Sequence, residues 1–489
     1  MKRWLQAAAV IAAAGILAGT AGISWSNRQE KAQQEQALEY TELKVCLIGN
    51  APDDIDMVME KFNELAERDL NCTVQIEWVI WGDFSTKYPM LLSIGENIDL
   101  IYAANWLDFY ENAQCGAFAP LEELLETYAP KSYEALTDAV REQATVNGHL
   151  YALPANYTNY NVLGAIVRGD LMEKYQIEEI DSFEDYLNFC DVITEEEGMD
   201  PTGMCSMNTD MINLYLMEKG YYPVDGSTLC PYWINLKDKE YHVYFQSECP
   251  GAEDYLRRAK EWYEKGYWAS NVLASKDETL LDSGLAASRI HNYDAYLGEY
   301  GLHLNWNLQY YNMVNPIIRQ TALQDAMAIP ASSGKKERAM MLLERLRNDE
   351  EYYMLLTYGI EGYHYQREGR KIKFLNNDYG NEPGTWGIRE EKYKCWNSVL
   401  PEEAIAMREE FEESAVDTLL VNFDLDLSEI QTEYAAIKKV MFVYYDPLKL
   451  GYIDYEEGMD SLEQQLKEAG NEEVKQEIQK QIKEFLERS

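Results

Sequence analysis

An α/β fold in two lobes is predicted for this 489-residue chain from three observations. The length exceeds what one ordinary hydrophobic core supports. Residues 43–103 alternate strand, helix, strand, helix, strand, the order that builds a parallel sheet with helices on its faces. Residues 148–167 form an extended stretch interrupted at 156–161, as strands crossing between two lobes would.

Residues 43–48 (LKVCLI) are a short run of β-formers, and GNAPD at 49–53 reads as a turn followed by a helix start. Ile55, Val58, Met59, Phe62 and Leu65 recur every three to four positions, which predicts a helix. Residues 71–80 return as a second strand and lead through Trp81-Gly82-Asp83 into a helix at 88–94. A third strand at 98–103 runs into Asn105-Trp106. Ligands of such sheets sit beyond the carboxyl ends of the strands, so Asn50, Trp81, Asp83, Asn105 and Trp106 are candidate contacts. Each has a structural alternative: Asn50 as a helix cap, the tryptophans as covers over the following helices.

Further along, helices are predicted at 121–128, 183–194 and 253–265, the last ended by Gly266. Residues 221–233 read as irregular, followed by a hairpin of 234–236 and 241–245. A strand at 286–291 delivers Asn292 and Tyr293 into a loop, and the tail 458–488 is a charged amphipathic helix pair broken at Gly470. Tyr157 lies in the first crossing, where its ring would face a cleft or pack the hinge. Glu361 and His364 fall in a loop near 360, able to reach a cleft or to be held by local hydrogen bonds. Trp233, Trp306 and Trp386 are read first as core or low-priority rings.

Composition narrows the chemistry. Lys and Arg total 43 against 85 Asp and Glu, a net charge of −42 that repels a phosphate backbone and excludes nucleic acid as a partner. Tyr (37) and Trp (11) far outnumber Phe (12), favouring rings that carry a polar handle; these suit a sugar surface, and they also suit two large cores. Eight cysteines include no C-x-x-C pair, which leaves disulfides and buried thiols both open. The five histidines show no paired metal-ligand spacing, and no G-x-S-x-G, H-E-x-x-H or phosphate-loop motif occurs. No catalytic residue, metal or cofactor is therefore expected. A secreted glycoside hydrolase is the enzyme alternative, but among 85 acids a pair of catalytic carboxylates cannot be singled out.

At the N-terminus Lys2 and Arg3 precede 24 uncharged residues, the layout of an export signal over 1–26. Leu17-Ala18-Gly19 reads like the start of a lipoprotein cleavage box, yet Thr20 stands where the lipid-accepting cysteine would be. A hydroxyl cannot replace that thiolate, so cleavage and retention as an anchor are both open. Residues 27–40 form a polar tether.

Several segments in fixed order carry a resemblance: TELKVCLIGNAPDDIDMVMEKFNEL, SIGENIDLIYAANWLDFYENAQCGAFAPLEELLETYAP, GHLYALPANY, AKEWYEKGY and ASRIHNYDAY, with LLTYGIEGYHY, NFDLDLSEIQTEYAAI and the 455–486 helices near the C-terminus. Together they resemble the family 1 extracellular solute-binding proteins, in a lipoprotein-like Firmicutes branch with an added C-terminal domain of undefined role. The resemblance implies a type II, maltose-binding-protein-like version of the periplasmic-binding-protein fold, with hinge strands between the lobes. The first lobe would comprise 41–160 plus about 326–372, and the second 161–325 plus about 373–489. It implies a small-molecule ligand, most often an oligosaccharide, trapped between closing lobes. ABC permease subunits and a separate ATPase would be partners, and the binding protein a monomer outside the cytoplasmic membrane. Relatives commonly place a ring against the ligand near Asn292 and Tyr293. A peptide or other cationic solute is a second ligand class.

Overall fold

The computed structural model describes residues 38–488 apart from 95, 96, 162, 207 and 419. The expected export signal, with Thr20, and the tether up to residue 37 lie outside the described residues. No helix among the described residues is long and apolar enough to cross a membrane.

The first lobe is built on a five-stranded sheet. Thr41–Ile48 pairs in parallel with Cys72–Val79 on one side and Leu100–Ala103 on the other; Ala326–Ala328 then pairs antiparallel with Leu100–Ala103 and with Ala152–Pro154. Residues 45–48 are buried on both faces, which is why this central strand reads as a continuous apolar run and not as an alternation. The helix Ile55–Leu70 covers one face through Val58, Phe62, Leu65 and Ala66 and stops at Asn71, whose left-handed backbone (φ 45°) ends the helical hydrogen bonding.

The second lobe centres on Leu163–Val167, flanked antiparallel by Ser288–Asn292 and Gln309–Asn312. A second sheet joins Tyr221–Pro223, Tyr232–Asn235 and Tyr244–Phe245. The expected irregular span 221–233 is strand at both ends, Tyr221–Pro223 and from Tyr232, with turns only at 224–231, and the hairpin pairs Tyr232 with Phe245, ahead of the expected 234–236 arm. Tyr232, Trp233 and Ile234 are buried in succession, so no period-two pattern marked the strand.

Two large cores result. One draws on residues from Leu43 to Leu153 and from Leu323 to Ile388; the other draws on residues from Leu163 to Ile318 and on the C-terminal segment from Leu420 to Ile482. The short antiparallel pair of Tyr160–Asn161 and Ile318–Arg319 crosses between them. All eight cysteines are free and only Cys115 is exposed; burial pushes the thiol of Cys46 up to about 12 and that of Cys72 to about 11.

Candidate functional site

Parallel registration fixes the site. Ile48 lies opposite Val79, and the register of Val45 with Leu100 sets the end of the third strand level with them. Asn50, Trp81 and Asn105 therefore emerge on one rim. Trp81 opens the one-turn helix Trp81–Asp83, and Trp106 sits in the equivalent turn Asn105–Leu107. Their ring centres are 5.8 Å apart, and Phe84 stands edge-on to both. The Trp106 indole N–H donates to the Gln324 carbonyl at 3.1 Å, so the ring is held by the chain while its face remains half-buried at the rim.

A third indole joins from far along the sequence. Trp386 stacks on Trp81 with centres 5.6 Å apart and planes 30° from parallel. It sits in the segment Gly384-Thr385-Trp386-Gly387, which is pressed against the sheet. A β-carbon on Gly384 would stand 2.6 Å from the Ile48 carbonyl oxygen, and one on Gly387 2.6 Å from that of Ala326. Only residues without side chains fit there; Gly384 additionally has φ +61°. The loop is closed by a buried ion pair, with the Arg389 guanidinium donating to Glu382 Oε2 at 2.7 and 3.0 Å. Lys394 Nζ holds the other carboxylate oxygen at 2.7 Å. Burial alone would raise the Glu382 pKa, but Arg389 and Lys394 outweigh it and bring it down to about 2. Burial lowers the pKa of Lys394 in turn, against the pull of Glu382.

The second lobe meets this rim at two points. Lys276 Nζ lies 2.6 Å from Asp83 Oδ1, its stem resting on Gly82, where a β-carbon would be 3.0 Å from Lys276 Cδ. Asn105 donates its amide to the Asp225 carbonyl at 3.2 Å. Its own carbonyl oxygen is buried without a partner, an omission that costs about 1–3 kcal/mol unless something donates to it. At the base of the seam Arg389 also faces Asp325 at 3.6 Å and Asp294 of the second lobe at 3.8 Å. Asp325 accepts from Tyr102 and from the Asn159 amide; burial holds its carboxyl above the usual range, although Arg389 and those hydrogen bonds oppose the shift.

Of the residues proposed from sequence, Trp81, Asp83, Asn105 and Trp106 share the rim, with Asn50 exposed at the adjoining strand end. Tyr157 is buried in the hinge: its hydroxyl donates to Asp294 at 2.8 Å, and the guanidinium of Arg389 packs on its ring. Asn292 and Tyr293 do not enter a loop. Asn292 caps the helix Tyr293–Glu299 by accepting from the Ala295 N–H at 2.9 Å. Tyr293 is buried against Tyr296, Tyr310 and Phe411, with its hydroxyl on the Ala404 carbonyl, so its ring does not face the rim. Glu361 is exposed beside Tyr365, and no hydrogen bond or ion pair joins it to the tryptophans among the described residues. Its neighbour His364 is buried, accepting from the Ile360 N–H and facing Asp54. Trp233 is wholly buried. Trp386 and Lys276 complete the site and were not among the chosen contacts; the paired glycines around Trp386 were the one sequence signal of a loop held against other backbone.

A family model described as bacterial extracellular solute-binding protein matches residues 58–363. The chain belongs to this family. A second model, a domain of unknown function (DUF3502), matches residues 419–487 of this solute-binding protein. A carbohydrate ABC transporter substrate-binding protein of Streptococcus pneumoniae is 25% identical to it, with 99% of each chain covered. The S. pneumoniae N-glycan transport solute-binding protein NgtS, solved with Man5GlcNAc, superposes with a TM-score of 0.79 at 25% identity, covering 92% of this chain and 99% of that one. An HMO-binding, ABC-transporter-associated solute-binding protein of Bifidobacterium longum infantis shares the fold, with a TM-score of 0.61 at 15% identity over 90% of this chain and 98% of that one.

Proposed function

We propose that this solute-binding protein captures a neutral oligosaccharide between its lobes and delivers it, unchanged, to an ABC permease driven by a separate ATPase. The observation that carries the reading is the three-indole rim of Trp81, Trp106 and Trp386 beside the unpartnered carbonyl of Asn105. Indole faces pack on the C–H faces of pyranose rings, and a buried acceptor left open is matched by a sugar hydroxyl. Asp83 and Lys276 supply further polar groups at the same seam. The glycan ligand of NgtS, a relative along nearly the whole chain, supports the same class.

The proposed contacts are Asn50, Trp81, Asp83, Asn105, Trp106, Lys276 and Trp386. The lobe bounds that go with this reading are 41–160 with about 326–397, and 161–325 with about 398–489; the first lobe runs past the expected 372 because Trp386 and Ile388 pack in its core and residues 396–397 pair with its strand at 371–372. The protein acts as an exported monomer at the outer face of the membrane. Titration calorimetry with Man5GlcNAc and a panel of human-milk and plant oligosaccharides tests the proposal. Saturable binding of at least one glycan with no product on chromatography is expected. Stabilisation by cationic peptides alone, or cleavage of the glycan, overturns it.

A further inference from the structure

The C-terminal segment 420–488 faces the two lobes with different chemistry. Toward the second lobe the contact has an apolar centre, edged by polar pairs such as Lys475 with Glu248: Tyr434 packs on Tyr232 with ring centres 6.0 Å apart, and Tyr445 on Phe245 at 5.5 Å. The backbones meet as well, since a β-carbon on Gly451 would stand 2.3 Å from the Ala259 carbonyl oxygen. Burial of this kind joins the segment to the second lobe as one body.

Toward the first lobe none of its described side chains enters the core. Contact there is polar: Lys438 Nζ is 2.8 Å from Asp108 Oδ1, and the Asn422 side-chain amide bonds Gln143 at 3.0 Å and Glu142 at 2.8 Å. Gln114 meets the Leu425 and Leu427 backbone at 3.4 Å each. Such bonds are exchangeable with water and individually weak. The two attachments therefore differ in kind, one permanent and one breakable.

The place of the breakable grip matters. Asp108 has a left-handed backbone (φ 54°) that closes the turn Asn105–Leu107, the turn carrying two rim residues. Its carboxylate does not cap the helix Phe109–Gln114 that it precedes but engages Lys438. Lys438 lies along the ring of Tyr434, its ammonium 5.9 Å from the ring centre, and Tyr434 is embedded in the second-lobe core. The position of the ammonium is thus set by the second lobe.

We infer that the C-terminal domain is a clasp through which the second lobe positions the solute-contact turn Asn105–Leu107 of the first, with Lys438 as the positioning residue. The inference rests on the proposed reading of Asn105 and Trp106 as ligand contacts.

The test uses the full chain with Lys438→Glu, Lys438→Arg, and the charge swap Lys438→Glu with Asp108→Lys. Hydrogen exchange of backbone amides 105–115 is read without ligand, and affinity for Man5GlcNAc by calorimetry. Lys438→Glu is expected to speed exchange at 105–115 by about fivefold and to weaken binding by a similar factor, as reversing a partly exposed pair would. Exchange at 455–488 stays unchanged, and the arginine variant and the charge swap restore both readouts to within about twofold. Unaltered exchange at 105–115 in Lys438→Glu overturns the clasp, as does faster exchange spread over all of 420–488. If the wild type binds neither Man5GlcNAc nor any other glycan, the oligosaccharide reading fails, while the exchange measurement still decides the clasp.

Discussion

Replacing Glu382 by Gln removes one charge from a carboxylate that is 3% exposed and keeps its volume. The loss can be sized in two ways. A carboxyl held at about 2 against an ordinary 4.5 is stabilised as the anion by about 3 kcal/mol, at about 1.4 kcal/mol per tenfold. Removing one member of a buried pair, which strands its partner, costs about 3–5 kcal/mol in general. Here Arg389 keeps Asp325 and Asp294 at longer range, and the Asp294 charge also acts on Lys394, so neither cation is left wholly uncompensated and the lower end, about 3 kcal/mol, is expected. Urea unfolding at neutral pH, followed by both circular dichroism and indole fluorescence, measures it. The acid limb provides a second reading. Because the folded pKa lies below the unfolded one, the contribution is present above about pH 4.5 and fades as pH falls toward 2, and the Gln variant lacks this component of acid sensitivity. The pair also closes the loop that carries Trp386, so glycan affinity falls together with stability. A Gln variant within about 1 kcal/mol of wild type, with an unchanged acid limb, would refute the assignment of this pair as the closure of that loop.

Trp81→Ala and Trp386→Ala are each expected to weaken glycan binding by about 10–100-fold by calorimetry, the loss typical of a central aromatic anchor; full affinity in both would remove the indoles from the site. Lys276→Ala is expected to cost under about fivefold, since both partners in its pair are largely exposed, and the difference should vanish near 1 M salt, where the Debye length is ~3 Å. In the second lobe Glu278 and Glu299 flank Arg289, and burial raises both carboxyls to about 7 against the pull of the guanidinium. Groups raised on folding contribute fully below the unfolded pKa and lose that contribution as pH climbs through the folded one. Stability should thus drop by about 1–3 kcal/mol per group between pH 5 and 8, with a shallower slope in Glu278→Gln; parallel slopes in thermal melts would show that Glu278 does not titrate in this range.

Much of the first lobe was legible because its strands and helices follow each other closely and each strand ends in a marked turn. Trp81, Asn105 and Trp106 come together because parallel register sets those turns level. Trp386 was not legible as part of the same cluster: it lies about three hundred residues beyond Trp81, in a segment without periodicity, and is brought there by glycines that allow backbone to touch backbone. Asn292 and Tyr293 were misplaced although the cues existed. Tyr293, Tyr296 and Leu297 have helical spacing behind an asparagine cap, and a helix of seven residues is too short for that pattern to stand out. Lys276 could not be found at all, since a surface lysine becomes a contact only through the way two lobes face each other.

The thiol distribution gives the molecule a built-in reporter. Seven of the eight sulfurs are shielded inside the protein, whereas Cys115 stands at the surface 3.5 Å from the Gln431 amide nitrogen, where the first lobe meets the C-terminal domain. A maleimide dye would attach at this one location in the natural polypeptide, and its emission would follow the relative movement of the halves in real time without any engineered substitution.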